Sequence, residues 1–551
     1  MFRLLFALAL FAAPLAATAV QSSTLLPPRV EHAINERIGA GEYPAMVVAV
    51  VDGERSHVYA FGKLDNGKAP DAYTVFQIGS VTKTFTATLL AETIEKGEVK
   101  LDTPVSDLLP GFTIPSRNGK SITLGELAMQ DSGLPRLPTN MTPPNPHDPY
   151  AAYDAAKLKE FLATYKLTRD PGAKYEYSNL GVGLLGNALA QHAGTSYAGL
   201  LQTRIFKPLD MASSSARFSE PLGAHWAMGH DINGQPVEPW HLDVLAGAGA
   251  INSTGADMLR YLEANLGLGP AQLVAAMQLA QKPHHDIGKG EQIGLVWMTR
   301  HDKDGEVVWH NGMTGGYTSF MGFTADSKRG VVILTNITRP INDLGFATLL
   351  ANAPLAPVKK QIAMTPQRLD TYVGAYQLAP KFFLNVLRQG DQLFAQATGQ
   401  GSVPIFPSAR DAFFARVAGM QIDFRHGKNG KVASLMLHQN GHDILAPKLD
   451  AEGIKKSSGH KVMHLDAAML QQYVGRYGLA PGMVFDITLL GDQLSAQLTG
   501  QPAFSVYPGA KDEFYYTVVD AQLSFERDKR GKIDALVLHQ NGANRTAKLL
   551  P

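Results

Sequence analysis

The sequence predicts a multidomain chain of α/β plus all-β class. An antiparallel sheet with helices comes first, and two copies of a small antiparallel β-barrel follow. Three observations predict this. The chain has 551 residues, too many for one ordinary domain. Its C-terminal part repeats at a fixed offset. Its N-terminal part carries strand-like apolar runs at both ends of a helix-rich middle, the pattern of a layered domain whose first and last strands share a sheet.

The first nineteen residues read as a cleavable export signal. Met1, Phe2 and Arg3 give a short basic start, and Leu4–Leu15 is an apolar run. Ala17-Thr18-Ala19 has the small-x-small form of a cleavage site, which puts the first mature residue at Val20. A membrane anchor is the alternative, but the run is short for roughly 30 Å of hydrocarbon. No later segment is apolar enough to cross a bilayer, so no integral span is expected in the mature chain.

Residues 20–360 form the layered domain. Met46–Val51 and Val58–Phe61 read as a hairpin around Asp52-Gly53. Thr84–Glu98 reads as a helix, with Leu89, Leu90 and Ile94 at helical spacing, and Leu180–Ala193 as another. Val307–Trp309, Thr318–Thr324 and Val331–Thr335 read as late strands.

Leu369–Leu449 then aligns with Leu470–Leu550 at a constant offset of 101 without gaps. Tyr372-Val373-Gly374 returns as Tyr473-Val474-Gly475. Gly390-Asp391-Gln392-Leu393 returns as Gly491-Asp492-Gln493-Leu494. Thr398-Gly399-Gln400 returns as Thr499-Gly500-Gln501, and His438-Gln439-Asn440-Gly441 as His539-Gln540-Asn541-Gly542. Phe413 and Phe424 return as Phe514 and Phe525. Short alternating runs such as Val484–Leu489 between turn signals indicate a small barrel or sandwich in each copy, over residues 366–450 and 465–551. The stretch 451–464, rich in Lys, Ser and Gly, is the linker. His438 and His539 are equivalent but lack partners for a metal, so they are read as stabilising turns.

Composition narrows function. Hydrophobic residues are 45% and charged residues 18%, which is globular. With 50 basic and 49 acidic residues there is no global field for nucleic acid or an anionic membrane. With no cysteine, a thiol nucleophile, thiolate metal sites and disulfides are excluded. No metal or other cofactor is expected. The oligomeric state is left open.

Three short elements carry chemistry. Ser80-Val81-Thr82-Lys83 starts a helix, and a separation of three places both side chains on one face. A serine hydroxyl needs a base, and a lysine serves once burial or neighbouring cations lower its pKa. A second Ser-x-x-Lys, Ser458–Lys461, falls in the linker and reads as solvated sequence. Tyr177-Ser178-Asn179 lies on a loop before a helix. A phenol there can shuttle a proton, and an amide can both donate to and accept from a substrate amide. A packed tyrosine beside a helix-capping asparagine is the bland alternative. His310-Asn311-Gly312 ends the expected strand Val307–Trp309 and precedes Met313. A strand edge offers a backbone N–H to a developing oxyanion, glycine lets substrate backbone lie close, and His310 supplies a polar or cationic group. His192-Ala193-Gly194 and Lys303-Asp304-Gly305 look superficially similar, but read as a helix end and a hairpin tip.

Together these elements resemble the serine β-lactamase and penicillin-recognising hydrolase family. The likeness is strongest to its class C-like branch, with DD-peptidases, D-aminopeptidases and esterases. Phe76–Thr86, Leu101–Val105, Asp131–Pro135, Tyr175–Asn179 and Ser253–Met258 occur in the order that branch uses. The resemblance implies an acyl-enzyme on Ser80, with Lys83 and Tyr177 exchanging protons, and Asn179 holding the substrate amide. It also implies an oxyanion hole from the backbone N–H groups of Ser80 and Met313. Many relatives carry Lys-Thr-Gly where this chain has His310-Asn311-Gly312, a form similar to D-aminopeptidases and esterases of the branch. The C-terminal pair resembles lipocalin-like barrels appended to some of these hydrolases. The expected partner is a small peptide or ester, with no nucleic acid. The expected activity is cleavage of amide bonds in D-amino-acid peptides, of carboxypeptidase or aminopeptidase type. An esterase or weak β-lactamase, and a slowly deacylating sensor, are the alternatives.

Overall fold

A computed structural model describes residues 24–550 except 146, 218–224, 359, 381, 399, 401, 417–419, 440–441, 451–462, 464, 481, 491–492, 500–502, 517–520 and 541–542. The expected signal segment, Ser458–Lys461 and all of the expected linker but Met463 lie outside the described residues. So do Gly399, Asn440, Gly441, Gly491, Asp492, Gly500, Gln501, Asn541 and Gly542 of the repeat.

The first domain is built on eight strands. They are β1 (Ala45–Asp52), β2 (Arg55–Gly62), β3 (His285–Gly288), β4 (Glu291–Ile293), β5 (Met298–Asp302), β6 (Gly305–Met313), β7 (Thr318–Thr324) and β8 (Arg329–Thr335). Their order is β2-β1-β8-β7-β6-β5-β4-β3, antiparallel throughout. As the apolar runs predict, the first and last strands share the sheet, with Met46 opposite Thr335 and Asp52 opposite Arg329.

The continuous apolar run of β1 is explained by helices on both faces. Val47, Ala49 and Val51 enter one core, and Met46, Val48 and Val50 the other. α1 (Pro28–Gly39) and α6 (Asn342–Leu349) cover the second face through Val30, Ile34, Leu344 and Phe346. α2 (Thr82–Glu95), α3 (Asn179–His192), α4 (Gly255–Asn265) and α5 (Ala271–Gln281) cover the first.

α2 is the helix that Leu89, Leu90 and Ile94 predict, running from Thr82 to Glu95 rather than from Thr84 to Glu98. Every residue from Thr82 to Thr93 is buried. Its threonines are weak helix formers, so the helix depends on tertiary burial. Their hydroxyls are satisfied inside: Thr84 donates to the Val81 carbonyl at 2.8 Å, and Thr86 to that of Gly247 at 2.8 Å. A helix buried on every side fixes the position of its first turn.

The repeat forms two eight-stranded barrel-like sheets, from Gly374–Ala379 to His442–Pro447 and from Gly475–Ala480 to Ala543–Leu549. The second closes through Tyr477 opposite Leu549. In the first the ends meet through a Tyr376–Lys448 bridge and a Leu449 N–H to the Ala375 carbonyl at 2.9 Å. Tyr372, Tyr376, Phe413 and Phe424 fill one core, and their counterparts Tyr473, Tyr477, Phe514 and Phe525 the other. The equivalent histidines sit within strands rather than at turns. His438 bridges Asp423 and Asp443 at 3.2 and 2.6 Å, and His539 bridges Ser524 and Asn544 at 2.7 and 2.8 Å. Each therefore ties three neighbouring strands together.

Candidate active site

The site forms where the start of α2, the start of α3 and the end of β6 meet. A short 3-10 turn, Gly79–Val81, leads into α2 and presents Ser80 at its mouth. One turn on, Lys83 is fully buried. Its Nζ lies 2.9 Å from Ser80 Oγ, 2.9 Å from Asn179 Oδ1 and 2.6 Å from the Ala248 carbonyl. Burial pushes the ammonium well below the usual lysine range, and the nearby Arg136 cation pushes the same way. Among the described residues no carboxylate pairs with it. A neutral Lys83 keeps two N–H donors for Asn179 and Ala248, which leaves its lone pair facing the Ser80 hydroxyl.

The Tyr177 hydroxyl faces Ser80, whose interaction favours the phenolate. Burial drives this phenol well above its ordinary pKa, against the opposing pull of Ser80 and of Arg136. Its ring lies 5.0 Å from Lys83 Nζ and 4.9 Å from the Arg136 guanidinium carbon. Residues 80, 83 and 177 thus share one contact network.

Asn179 is not the helix cap. Ser178 caps α3 by accepting from the Gly181 N–H at 2.8 Å, and Asn179 begins the helix. The Asn179 amide, expected to face substrate, already has protein partners at both ends. Its oxygen accepts from Lys83, and its nitrogen donates to Tyr150 Oη at 3.0 Å. Tyr150 is buried, and burial raises its pKa.

β6 runs through His310-Asn311-Gly312 to Met313 rather than ending at Trp309. Pairing with β5 stops at Trp309, while pairing with β7 continues to Met313 opposite Thr318. Alternation puts Val308, His310 and Gly312 on the face towards α2. Gly312 lies against the serine turn. A Cβ there would sit 2.0 Å from the Ile78 carbonyl oxygen and 2.9 Å from the Ser80 nitrogen. Gly79, at a φ of +50°, is matched to it: a Cβ would meet the Met313 nitrogen at 2.7 Å. The room expected for substrate backbone at Gly312 is therefore taken by the protein's own Ile78–Ser80 segment. The same packing brings the Ser80 and Met313 amides together around two glycines. Ser319 locks the turn by donating to the Ile78 carbonyl at 2.7 Å. The Met313 side chain is exposed.

His310 is not a cation. Its Nδ1–H donates to the Asn311 carbonyl at 2.6 Å. Burial and the proximity of Lys83 push its pKa down to about 3. Its Nε2 is then a bare, buried acceptor with no hydrogen-bond partner among the described residues.

Sequence reasoning missed Tyr150 and Arg136. Both lie in or beside the segment 135–152, whose turn-rich composition conceals where side chains point. Among the described residues no cluster of histidine and carboxylate side chains could hold a metal, and no helix is long and apolar enough to cross a membrane.

The family model for beta-lactamases matches residues 30–353, more than half of the chain and all of this site. The chain belongs to the beta-lactamase family. It is a hydrolase of that family. Residues 358–454 and 460–548 each match a domain of unknown function, DUF3471. The chain is 28% identical over 339 residues to the D-alanyl-D-alanine-carboxypeptidase/endopeptidase AmpH of Escherichia coli K12, covering 56% of this chain and 86% of that one. It is 25% identical over 427 residues to penicillin-binding protein 4* of Bacillus subtilis, covering 70% and 90%. The beta-lactamase/D-alanine carboxypeptidase of Yersinia pestis superposes with a TM-score of 0.51 at 24% identity, over 56% of this chain and 92% of that one. The D-alanine carboxypeptidase AmpC of Burkholderia cenocepacia does so at 0.50 and 22%, over 58% and 98%. At these identities the superpositions establish the fold.

Proposed function

We propose that the chain is an exported serine hydrolase that cleaves amide bonds of D-amino-acid peptides through an acyl-enzyme on Ser80. One observation carries this reading: a fully buried lysine without a carboxylate partner lies 2.9 Å from a serine hydroxyl. Such a lysine is held neutral, and a neutral amine is a base.

In the proposed reaction Ser80 Oγ attacks the carbonyl carbon while its proton passes to Lys83 Nζ. The Ser80 and Met313 amides receive the developing oxyanion. The C–N bond breaks, and the proton is relayed through the Tyr177 hydroxyl to the leaving nitrogen. Water then attacks the ester carbonyl, the acid departs, and one water proton restores the Ser80 hydroxyl. Asn179 holds Lys83 in line, and the bare Nε2 of His310 offers an acceptor on the β6 wall. The substrate class is supported by the D-alanyl-D-alanine activity in the name of the relative AmpH. Export is supported by Arg3, the run Leu4–Leu15 and Ala17-Thr18-Ala19.

The test is a panel of D-alanyl peptides, D-amino-acid amides, short esters and a chromogenic cephalosporin, with intact mass read alongside turnover. Release of D-alanine, with an adduct that Ser80→Ala abolishes, is the expected result. Turnover of esters alone moves the reading to an esterase. A long-lived cephalosporin adduct without turnover moves it to a sensor. Absence of any Ser80 adduct overturns it.

A further inference from the structure

Of the basic groups around Ser80, two are not available as cations to a bound ligand. His310 on the β6 wall is neutral and buried. Lys83 is sealed in, with Ser80, Asn179 and the Ala248 carbonyl already around its Nζ. The opposite wall differs. Arg136 lies on the loop after the short helix Leu124–Ala128, and its side chain is exposed.

The backbone of that segment is clamped to the site. The Arg136 carbonyl accepts from the Asn179 N–H at 3.0 Å and the Leu180 N–H at 3.2 Å. Ser178 Oγ donates to the Pro135 carbonyl at 2.7 Å. The side chain is not similarly tied. Arg169 pairs with Glu176 at 2.8 Å, whereas Arg136 has no carboxylate partner among the described residues. Its guanidinium stacks instead over Tyr177, whose ring also lies 5.0 Å from Lys83 Nζ beside Ser80. An anchored, unpaired, exposed guanidinium one side chain away from the nucleophile is a ready receptor for a carboxylate, which it can grip through two parallel N–H bonds.

We infer that Arg136 binds a substrate carboxylate within about one residue of the scissile bond, and so makes the site selective for peptides that carry one. A C-terminal residue meets that requirement, since its carboxylate lies one residue (~3.8 Å between successive Cα atoms) beyond the broken bond. An acidic side chain on the acyl residue also meets it. The inference rests on Ser80 being the nucleophile and refines the substrate class of that same site.

A second role for Arg136 follows from its position and must be separated from the first. Its charge also holds down the pKa of Lys83. That effect acts on every substrate alike, whereas carboxylate binding acts on one member of a matched pair.

The experiment measures Ser80 acylation rates for two matched pairs of substrates with wild type, Arg136→Gln and Arg136→Lys. The first pair is a D-alanyl-D-alanine peptide as free acid and as C-terminal amide. The second carries D-glutamate or D-glutamine on the acyl side of an activated ester. In wild type the acid of one pair is preferred, and the pair identifies which carboxylate is bound. Arg136→Gln lowers that preference on the order of 10- to 100-fold, and Arg136→Lys restores part of it. If the acid-to-neutral ratio is the same in wild type and Arg136→Gln for both pairs, the inference is overturned while the nucleophile assignment stands. If wild type is acylated by no member of either pair, the Ser80 reading falls and takes this one with it.

Discussion

Tyr177 and the barrel tyrosines Tyr372 and Tyr473 stand in opposite electrostatic company. In the first barrel, Tyr372 donates to Asp411 at 2.8 Å, and that carboxylate also takes Arg368 and His426, each at 2.9 Å. In the second, Tyr473 donates to Asp512 at 2.9 Å, and Arg527 caps the carboxylate at 2.6 Å. Every cation there has its anion, and the cluster only holds a tyrosine over an aromatic core. Around Tyr177 stand two basic groups, Lys83 and Arg136, and among the described residues no carboxylate pairs with either. Compensated charge builds the barrels. At the serine site burial without compensation sets the protonation of Lys83, because no anion offsets the cost of its charge.

The sharpest way to break this contrast is Lys83→Ala. If the unpaired lysine is the base, acylation of Ser80 falls by about 10³ or more. Arg527→Ala, which uncaps a compensated carboxylate in the second barrel, leaves the acylation rate where it was. Rapid-mixing kinetics with an activated ester read both, and a wild-type rate in Lys83→Ala shows that the base is elsewhere. The pH profile carries the sign. The neutral amine is the competent form, so the rate drops as pH falls through the Lys83 pKa, which lies well below the usual lysine range. Arg136→Gln removes a like charge, favours the protonated lysine and moves that acid limb to higher pH.

Tyr177→Phe is expected to cost about 10²–10⁴ in turnover, the usual worth of a positioned proton donor. The loss is greater for amides, whose nitrogen must be protonated to leave, than for esters of acidic alcohols. Comparing kcat/KM for an amide and a nitrophenyl ester checks this, and equal losses argue against a proton relay through Tyr177.

Gly312→Ala tests the packing that aims the serine. An added methyl meets the Ile78 carbonyl oxygen at 2.0 Å, so the turn bearing Ser80 must move. Destabilisation of about 1–3 kcal/mol is expected, together with slower acylation. Chemical denaturation and the acylation rate measure the two parts, and an unchanged acylation rate refutes the positioning role.

How far the sequence foresaw this follows from the range of each signal. The hairpin of β1 and β2, the late strands and the 101-residue repeat are local patterns, and they were legible. Ser80 and Lys83 were legible because a spacing of three fixes their geometry on one helix. Tyr177 joined them only through its motif. What failed depended on what lies across the fold. His310 reads as a polar or cationic group, and only its burial in the fold decides for the neutral, polar form. Gly312 reads as room for substrate until Ile78 occupies it. Arg136 and Tyr150 sit in irregular chain with no period to declare a face, so only their contacts reveal them.

The smallest effect lies within the repeat itself. His426 occupies in the first barrel the place that Arg527 holds in the second, 101 residues on. Arg527 keeps its charge at any working pH, but His426 titrates. Its bonds to Asp411 and to the Gly430 carbonyl hold its pKa above the ordinary histidine value. The folded state therefore binds its proton more tightly than the unfolded chain does. The contribution is complete below the unfolded pKa and is lost as pH rises through the raised folded value. Because the residue lies at the surface, screening limits the gain to about 1 kcal/mol or less. Scanning calorimetry of the intact chain across neutral pH is expected to show this shallow loss in wild type. His426→Arg, which copies the second barrel into the first, is expected to flatten it. An identical pH slope in the two proteins breaks the link between this histidine and the first barrel's stability.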